Sequence, residues 1–116
     1  MEKPHELKMT VKLTVMNPEL EDGSAFGRGI ASLCLGVRET GSLYAAAKRM
    51  GMAYSKAWRV IRDTEEDLGI TLLDRDGARG SKLTEVGNRL LDSYLEIERM
   101  VAERAEELFG ELFPQG

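Results

Sequence analysis

Residues 41–69 read GSLYAAAKRMGMAYSKAWRVIRDTEEDLG, and five basic residues fall within the fifteen positions from Lys48 to Arg62. The chain around them is acidic, with 116 residues and a formal charge of −4. Ser42 follows a glycine and stands where a helix N-cap belongs, so a short helix is predicted from it to about Met50, with Ala45, Ala46 and Ala47 permitting close packing. Gly51 and Met52 make a tight turn, and helical spacing resumes from about Tyr54 to Leu68. Two helices joined by so short a turn are the signature of a helix-turn-helix.

Projected at roughly 100° per residue, the second of these helices places Tyr54, Ala57, Trp58, Ile61 and Leu68 on an apolar side, and Ser55, Lys56, Arg59 and Arg62 opposite them. The apolar side, Trp58 included, is assigned to the core. The other face offers two guanidinium groups, an ammonium and a hydroxyl, groups that reach guanine acceptors and phosphates when a helix lies in the major groove of DNA. Many helices carry a solvated charged face of no further consequence. Here the preceding helix and turn, and the segment that follows, favour nucleic acid. The acidic run from Asp63 to Gly69 is placed away from the duplex, since the first turns of such a helix read the bases.

Outward from this centre, residues 70–75 (ITLLDR) and 81–84 (SKLT) read as two short strands around DGARG at 76–80, a wing. Arg75, Arg79 and Lys82 flank or occupy its glycine loop and are assigned to phosphate-backbone or minor-groove contact. Lys48 and Arg49 end their helix and complement its dipole. Upstream, Lys8 to Met16 alternate, with Met9, Val11, Leu13 and Val15 on one side, which predicts a half-buried strand; a turn at Asn17 to Ser24 leads into a first helix from about Phe26 to Glu39. Downstream, Thr84 caps a long helix of about 25 residues, or ~40 Å. Its apolar positions Val86, Leu90, Tyr94, Ile97, Val101, Ala105, Leu108 and Leu112 step by threes and fours, close to a heptad seam. One small domain cannot cover such a stripe, so a second subunit is expected on it, with Leu90, Tyr94, Ile97, Val101 and Leu108 at the contact.

The fold expected is mostly α with a small β-wing: a strand plus winged helix-turn-helix over residues 1–83, and a long dimerisation helix over 84–116. Charge divides accordingly: residues 48–82 hold eight Lys/Arg against six Asp/Glu, and residues 83–116 three against eight. Enzyme chemistry is disfavoured. Cys34, the single cysteine, sits among Ile30, Leu33, Leu35 and Val37 as a buried thiol, and neither a disulfide nor a cysteine metal cluster can form within the chain. His5, the single histidine, has no partner for acid–base or metal work, and residues 77–82 (GARGSK) lack the spacing of a phosphate loop. No cofactor or metal is expected. Neither a secretory signal nor an apolar run of about 18 residues is present, so a cytoplasmic location without membrane contact is expected.

A set of residues supports a more specific reading: Gly41 and Ser42, Ala46 and Ala47, the Gly-x-x-Tyr-x-x-Ala-Trp of Gly51, Tyr54, Ala57 and Trp58, and the Leu-Thr-x-x-Gly of Leu83, Thr84 and Gly87. With them, nearly the whole chain resembles the N-terminal DNA-binding domain of ModE-type, molybdate-responsive bacterial transcription regulators, winged-helix proteins related to the LysR-type domains. The resemblance implies a homodimeric regulator of transcription that binds double-stranded DNA through the helix beginning at Tyr54. Two departures stand out: Ala53 replaces the usual serine, removing an N-cap worth about 1 kcal/mol, and the wing loop is poorer in glycine. The oxyanion-binding domains of full-length ModE-type proteins do not follow before Gly116, so molybdate binding is not expected in this chain. The alternative is an interaction module that regulates by pairing with a full-length regulator or another partner.

Overall fold

A computed structural model describes residues 5–75 and 80–115. Four helices and a hairpin follow one another: α1 (Arg28–Thr40), α2 (Leu43–Arg49), α3 (Tyr54–Leu68), β1 (Leu73–Arg75), β2 (Ser81–Leu83) and α4 (Glu85–Leu112). The helix boundaries follow local chemistry. Gly41 ends α1 in the left-handed region at φ 75°, and Ser42 caps α2 by accepting the Ala45 amide. Gly69 ends α3 at φ 71°, while Thr84 opens α4 by accepting the Gly87 amide at 2.9 Å. Ala53, as its side chain dictates, gives α3 no side-chain cap.

The core draws on every helix and on the hairpin. Phe26, Leu33, Cys34 and Val37 meet Leu43, Ala46 and Ala47 of α2, Ala57 and Ile61 of α3, Leu72 before the wing, Leu73 and Leu83 within it, and Leu91 and Tyr94 of α4. α1 lies so close on α2 that a Cβ at Gly36 would come within 2.7 Å of the Ala46 Cβ and 3.1 Å of its Cα. The wing is a two-stranded antiparallel ladder in the register Leu73–Leu83, Asp74–Lys82 and Arg75–Ser81. It is anchored at both ends: the Ser81 amide donates to the Gly41 carbonyl at 3.0 Å, and the Thr84 amide to Leu72 at 3.0 Å. Gly87 is held by the same carbonyl, since a Cβ there would meet the Leu72 oxygen at 2.5 Å.

The predicted strand at Lys8 to Met16 does not form. That segment is extended but makes a single bridge, Val15 with Phe26. A ladder needs a partner of comparable length, and the chain returns from the Asn17 turn for one residue pair before Gly27 opens α1. The segment instead lies along α4. Tyr94 donates its hydroxyl hydrogen to the Leu13 carbonyl at 2.9 Å, and Leu7 and Gln115 exchange two hydrogen bonds of 2.8 and 3.0 Å. α4 runs to 28 residues, about 42 Å at 1.5 Å per residue, and is the longest element of a molecule 62 Å in its greatest extent. No helix among the described residues is long and apolar enough to cross a membrane.

Gly36→Ala should therefore destabilise the fold despite alanine's better helix propensity. Overpacking costs about 1–3 kcal/mol, which would lower the midpoint of a thermal melt followed by circular dichroism by several degrees; an unchanged midpoint would show that α1 and α2 can part without penalty.

Candidate nucleic-acid interface

α3 divides as its sequence pattern requires. Ala57, Ile61 and Thr64 are buried, and Thr64 returns its hydroxyl hydrogen to the Val60 carbonyl at 2.8 Å. Ser55, Lys56, Arg59 and Arg62 are all exposed. None of the ion pairs among the described residues takes in Lys56, Arg59 or Arg62. Other arginines are engaged: Arg38 bonds Asp92 at 2.8 Å and Asn88 at 2.9 Å, Arg28 reaches Glu98 at 3.0 Å, and Arg49 reaches Glu39 at 3.1 Å. The cations of α3 thus keep their charge available to an outside anion, while those between α1 and α4 are spent on holding helices together.

In the wing, Lys82 is exposed on β2, opposite Asp74. Arg75 pairs through its backbone with Ser81. Arg79 lies outside the described residues. Gly80, at φ 121°, is pressed against the Gly41 carbonyl, and no side chain would fit there. The loop end of β2 is therefore fixed to the junction between α1 and α2, on the body that carries the α3 cations.

Two features depart from the sequence reading. The acidic end of α3 does structural work: one Glu65 carboxylate oxygen accepts the amides of Leu72 at 2.6 Å and Leu73 at 3.2 Å, clamping the start of the wing. Asp67 accepts the Ser24 amide at 2.6 Å and offers its carbonyl to the Asn17 side chain at 3.1 Å. Tyr54, assigned by periodicity to the core, is 45% exposed. As the first residue of α3 it precedes the turn at which the core closes, and its ring lies 5.9 Å from that of Tyr44, itself 60% exposed. Trp58 behind it is half-buried against the core. Tyr44 was legible as a surface group, since Leu43, Ala46 and Ala47 occupy the buried side of α2 and leave Tyr44 and Lys48 together one turn apart.

Along α4, Tyr94 is 4% exposed and packs edge-on against Phe26 at 5.3 Å, inside its own subunit. Its ring is therefore not offered to a second chain. Leu90, Val101 and Leu108 are half-buried, and Ile97 and Met100 are exposed.

Residues 32–88 match the family described as bacterial regulatory helix-turn-helix protein, lysR family. A probable nitrogen assimilation transcriptional activator of Synechococcus elongatus is 44% identical over 57 residues, covering 49% of this chain and 18% of that protein. Among solved structures, the CbnR DNA-binding domain in complex with DNA superposes with a TM-score of 0.59 at 28% identity, over 71% of this chain and 93% of that one. The BenM DNA-binding domain bound to catB site 1 DNA gives 0.54 at 30% identity, over 64% and 78%. The chain spans 27% of full-length CbnR. These similarities are to LysR-type regulators and do not single out the ModE-type group.

Glu65→Ala should loosen the wing: hydrogen bonds to a charged acceptor are worth about 1.5–3 kcal/mol, and amide exchange at Leu72 and Leu73 should speed up ahead of exchange in the α3 core. Cys34 gives a second check. Burial first, then the negative charge of Glu65, pushes its thiol up to about 12 from 9.0, with Arg38 opposing. A thiol harder to ionise when folded contributes stability that is whole below pH 9 and lost as pH rises towards 12. At pH 8 the native thiol should resist a disulfide reagent and react once urea unfolds the chain; rapid native labelling would contradict the burial.

Proposed function

We propose that the chain, whose residues 32–88 match the lysR family of bacterial regulatory helix-turn-helix proteins, is a sequence-specific transcriptional regulator that binds double-stranded DNA as a homodimer. The observation that carries this reading is the face of α3: Lys56, Arg59 and Arg62 exposed, without ion-pair partners among the described residues, on the second helix of a helix-turn-helix. Lys56 and Arg59 address base edges, Ser55 and Arg62 bases or phosphates, and Lys82, with Arg75 and Arg79, the backbone beside the wing. The DNA in the complexes of the CbnR and BenM domains supports the choice of partner.

A division of labour at residue 84 fits this reading, with residues 1–83 for DNA and α4 for the second subunit. Ile97 and Met100, exposed, with Leu90, Val101 and Leu108, half-buried, form the apolar stripe a partner helix would cover. Two such subunits would set their recognition helices in successive major grooves, about 34–36 Å apart. The finer ModE-type reading rests on Gly51, Tyr54, Ala57 and Trp58. Pairing with a different regulator is the second reading, favoured by the same exposed stripe on so acidic a helix. A site within the bacterial cytoplasm, where the chromosome lies, follows from the activity proposed.

Anisotropy titration on a duplex from the chain's own upstream region, beside a scrambled duplex, tests the function. Binding should weaken with salt at a log–log slope of about −0.9 per phosphate neutralised, and Arg59→Ala should abolish the preference for the native duplex, a loss of about 1–3 kcal/mol in discrimination. Binding indifferent to salt, or a variant as selective as the parent, would overturn the assignment of α3. Sedimentation of the free protein separates the two partners: a homodimer that binds unaided removes the need for any other.

A further inference from the structure

The cations of α3 leave unexplained a pair of exposed aromatic side chains on the same module. Large side chains standing in water on a small domain are informative where they cluster. Tyr44 and Tyr54 are 60% and 45% exposed, and their rings touch at a tilt of 58°. Together with Lys48, Gly51, Met52 and Ala53 they line a shallow hollow over the helix-turn-helix bend. Tyr54 is fixed from behind by the edge of Trp58 at 6.3 Å. Each tyrosine is thus held by a neighbouring ring, and a tyrosine has few rotamers to lose on binding. Both residues adjoin the groups assigned to DNA: Tyr54 precedes Ser55 and Lys56 at the start of α3, and Tyr44 shares a face of α2 with Lys48.

The two tyrosines differ in what their positions can reach. The N-terminal residues of a recognition helix face base edges, whereas the helix before it crosses the backbone. The one apolar group that a base edge presents in the major groove is the thymine methyl. A phenol ring is matched to that methyl, and a phenol hydroxyl is matched to a phosphate oxygen, to which it donates without altering the number of counterions released. We infer that Tyr54 is a specificity residue that packs its ring on a thymine methyl, and that Tyr44 is a neutral phosphate anchor that also holds the Tyr54 ring in place. This rests on the DNA-binding function proposed above and adds to it a base preference that the cationic face does not supply.

The test uses the whole chain and a duplex selected by it from a randomised pool, in which each thymine is replaced in turn by deoxyuridine, which differs by the methyl alone. At one position or more, that replacement should weaken the parent protein and Tyr54→Phe about threefold or more while leaving Tyr54→Ala unaffected, the pattern of a lost pairwise contact. Tyr44→Phe should bind selected and scrambled duplexes about three- to tenfold more weakly, the effect of one hydrogen bond, with the salt slope unchanged, in contrast to Lys56→Ala. Both side chains being exposed, thermal melts should show all variants folded. If the parent selects a sequence but no thymine couples to Tyr54, the specificity role is overturned while the DNA-binding function stands. If Tyr44→Phe binds like the parent, the anchor role is overturned. If the parent selects no sequence and shows no salt-dependent binding, the function itself falls and this inference with it.

Discussion

Three structural units meet at the peptide of Gly41. Its left-handed backbone ends α1, its successor Ser42 caps α2, and its carbonyl accepts the Ser81 amide from the first residue of β2. The contact is backbone on backbone, with Gly80 lying against the same oxygen, so no side chain intervenes whose flexing could change the spacing. A DNA-reading module needs its recognition helix and wing at a fixed separation, because both must meet phosphates set by the duplex. Here one carbonyl and two glycines hold β2 to the α1–α2 junction, and Glu65 ties α3 itself to the start of the wing. The other end of the wing is fixed in the same manner by Leu72, whose carbonyl takes the Thr84 amide and leaves room for nothing larger than Gly87.

Charge is apportioned by geometry more than by count. The acidic end of α3 would oppose a phosphate backbone if left free, yet Glu65 and Asp67 are turned to backbone amides of the wing and of the segment before α1. On α4, Arg99 lies between Glu96 at 2.6 Å and Glu103 at 2.9 Å, and Arg104 reaches Glu107 at 2.9 Å. These exposed pairs contribute little to stability. Their effect is to neutralise cations along α4, whereas Lys56, Arg59 and Arg62 of α3 enter no ion pair among the described residues.

Much of this was legible in the residues. Ser42, Gly51, Gly69 and Thr84 mark helix ends because cap and left-handed positions restrict residue type strongly, and α3 spans Tyr54–Leu68 as its periodicity predicts. The misreadings share a cause: a pattern states what a segment favours and is silent on what will pair with it. Lys8 to Met16 alternate like a strand but find one bridging residue. Tyr94 continues a heptad-like stripe, yet Phe26 and the Leu13 carbonyl claim it for its own subunit. Tyr54 has the right phase for the core, but it sits where the helix has only begun and the core does not reach. The Glu65 clamp spans seven residues to Leu72 through a side chain that no periodicity distinguishes from its acidic neighbours.

The edge contact between Tyr54 and Trp58 also has an optical consequence. Trp58 is the one tryptophan in the sequence, so all indole emission of the protein comes from a single half-buried ring on α3. At 6.3 Å the phenol of Tyr54 is within range to pass its excitation to that indole. The emission colour registers how dry the inner side of α3 is, and the efficiency of transfer registers whether Tyr54 keeps its place at the outer end. The chain thus carries a native chromophore pair on the element that carries the exposed cations, and its movements can be followed in the unlabelled protein.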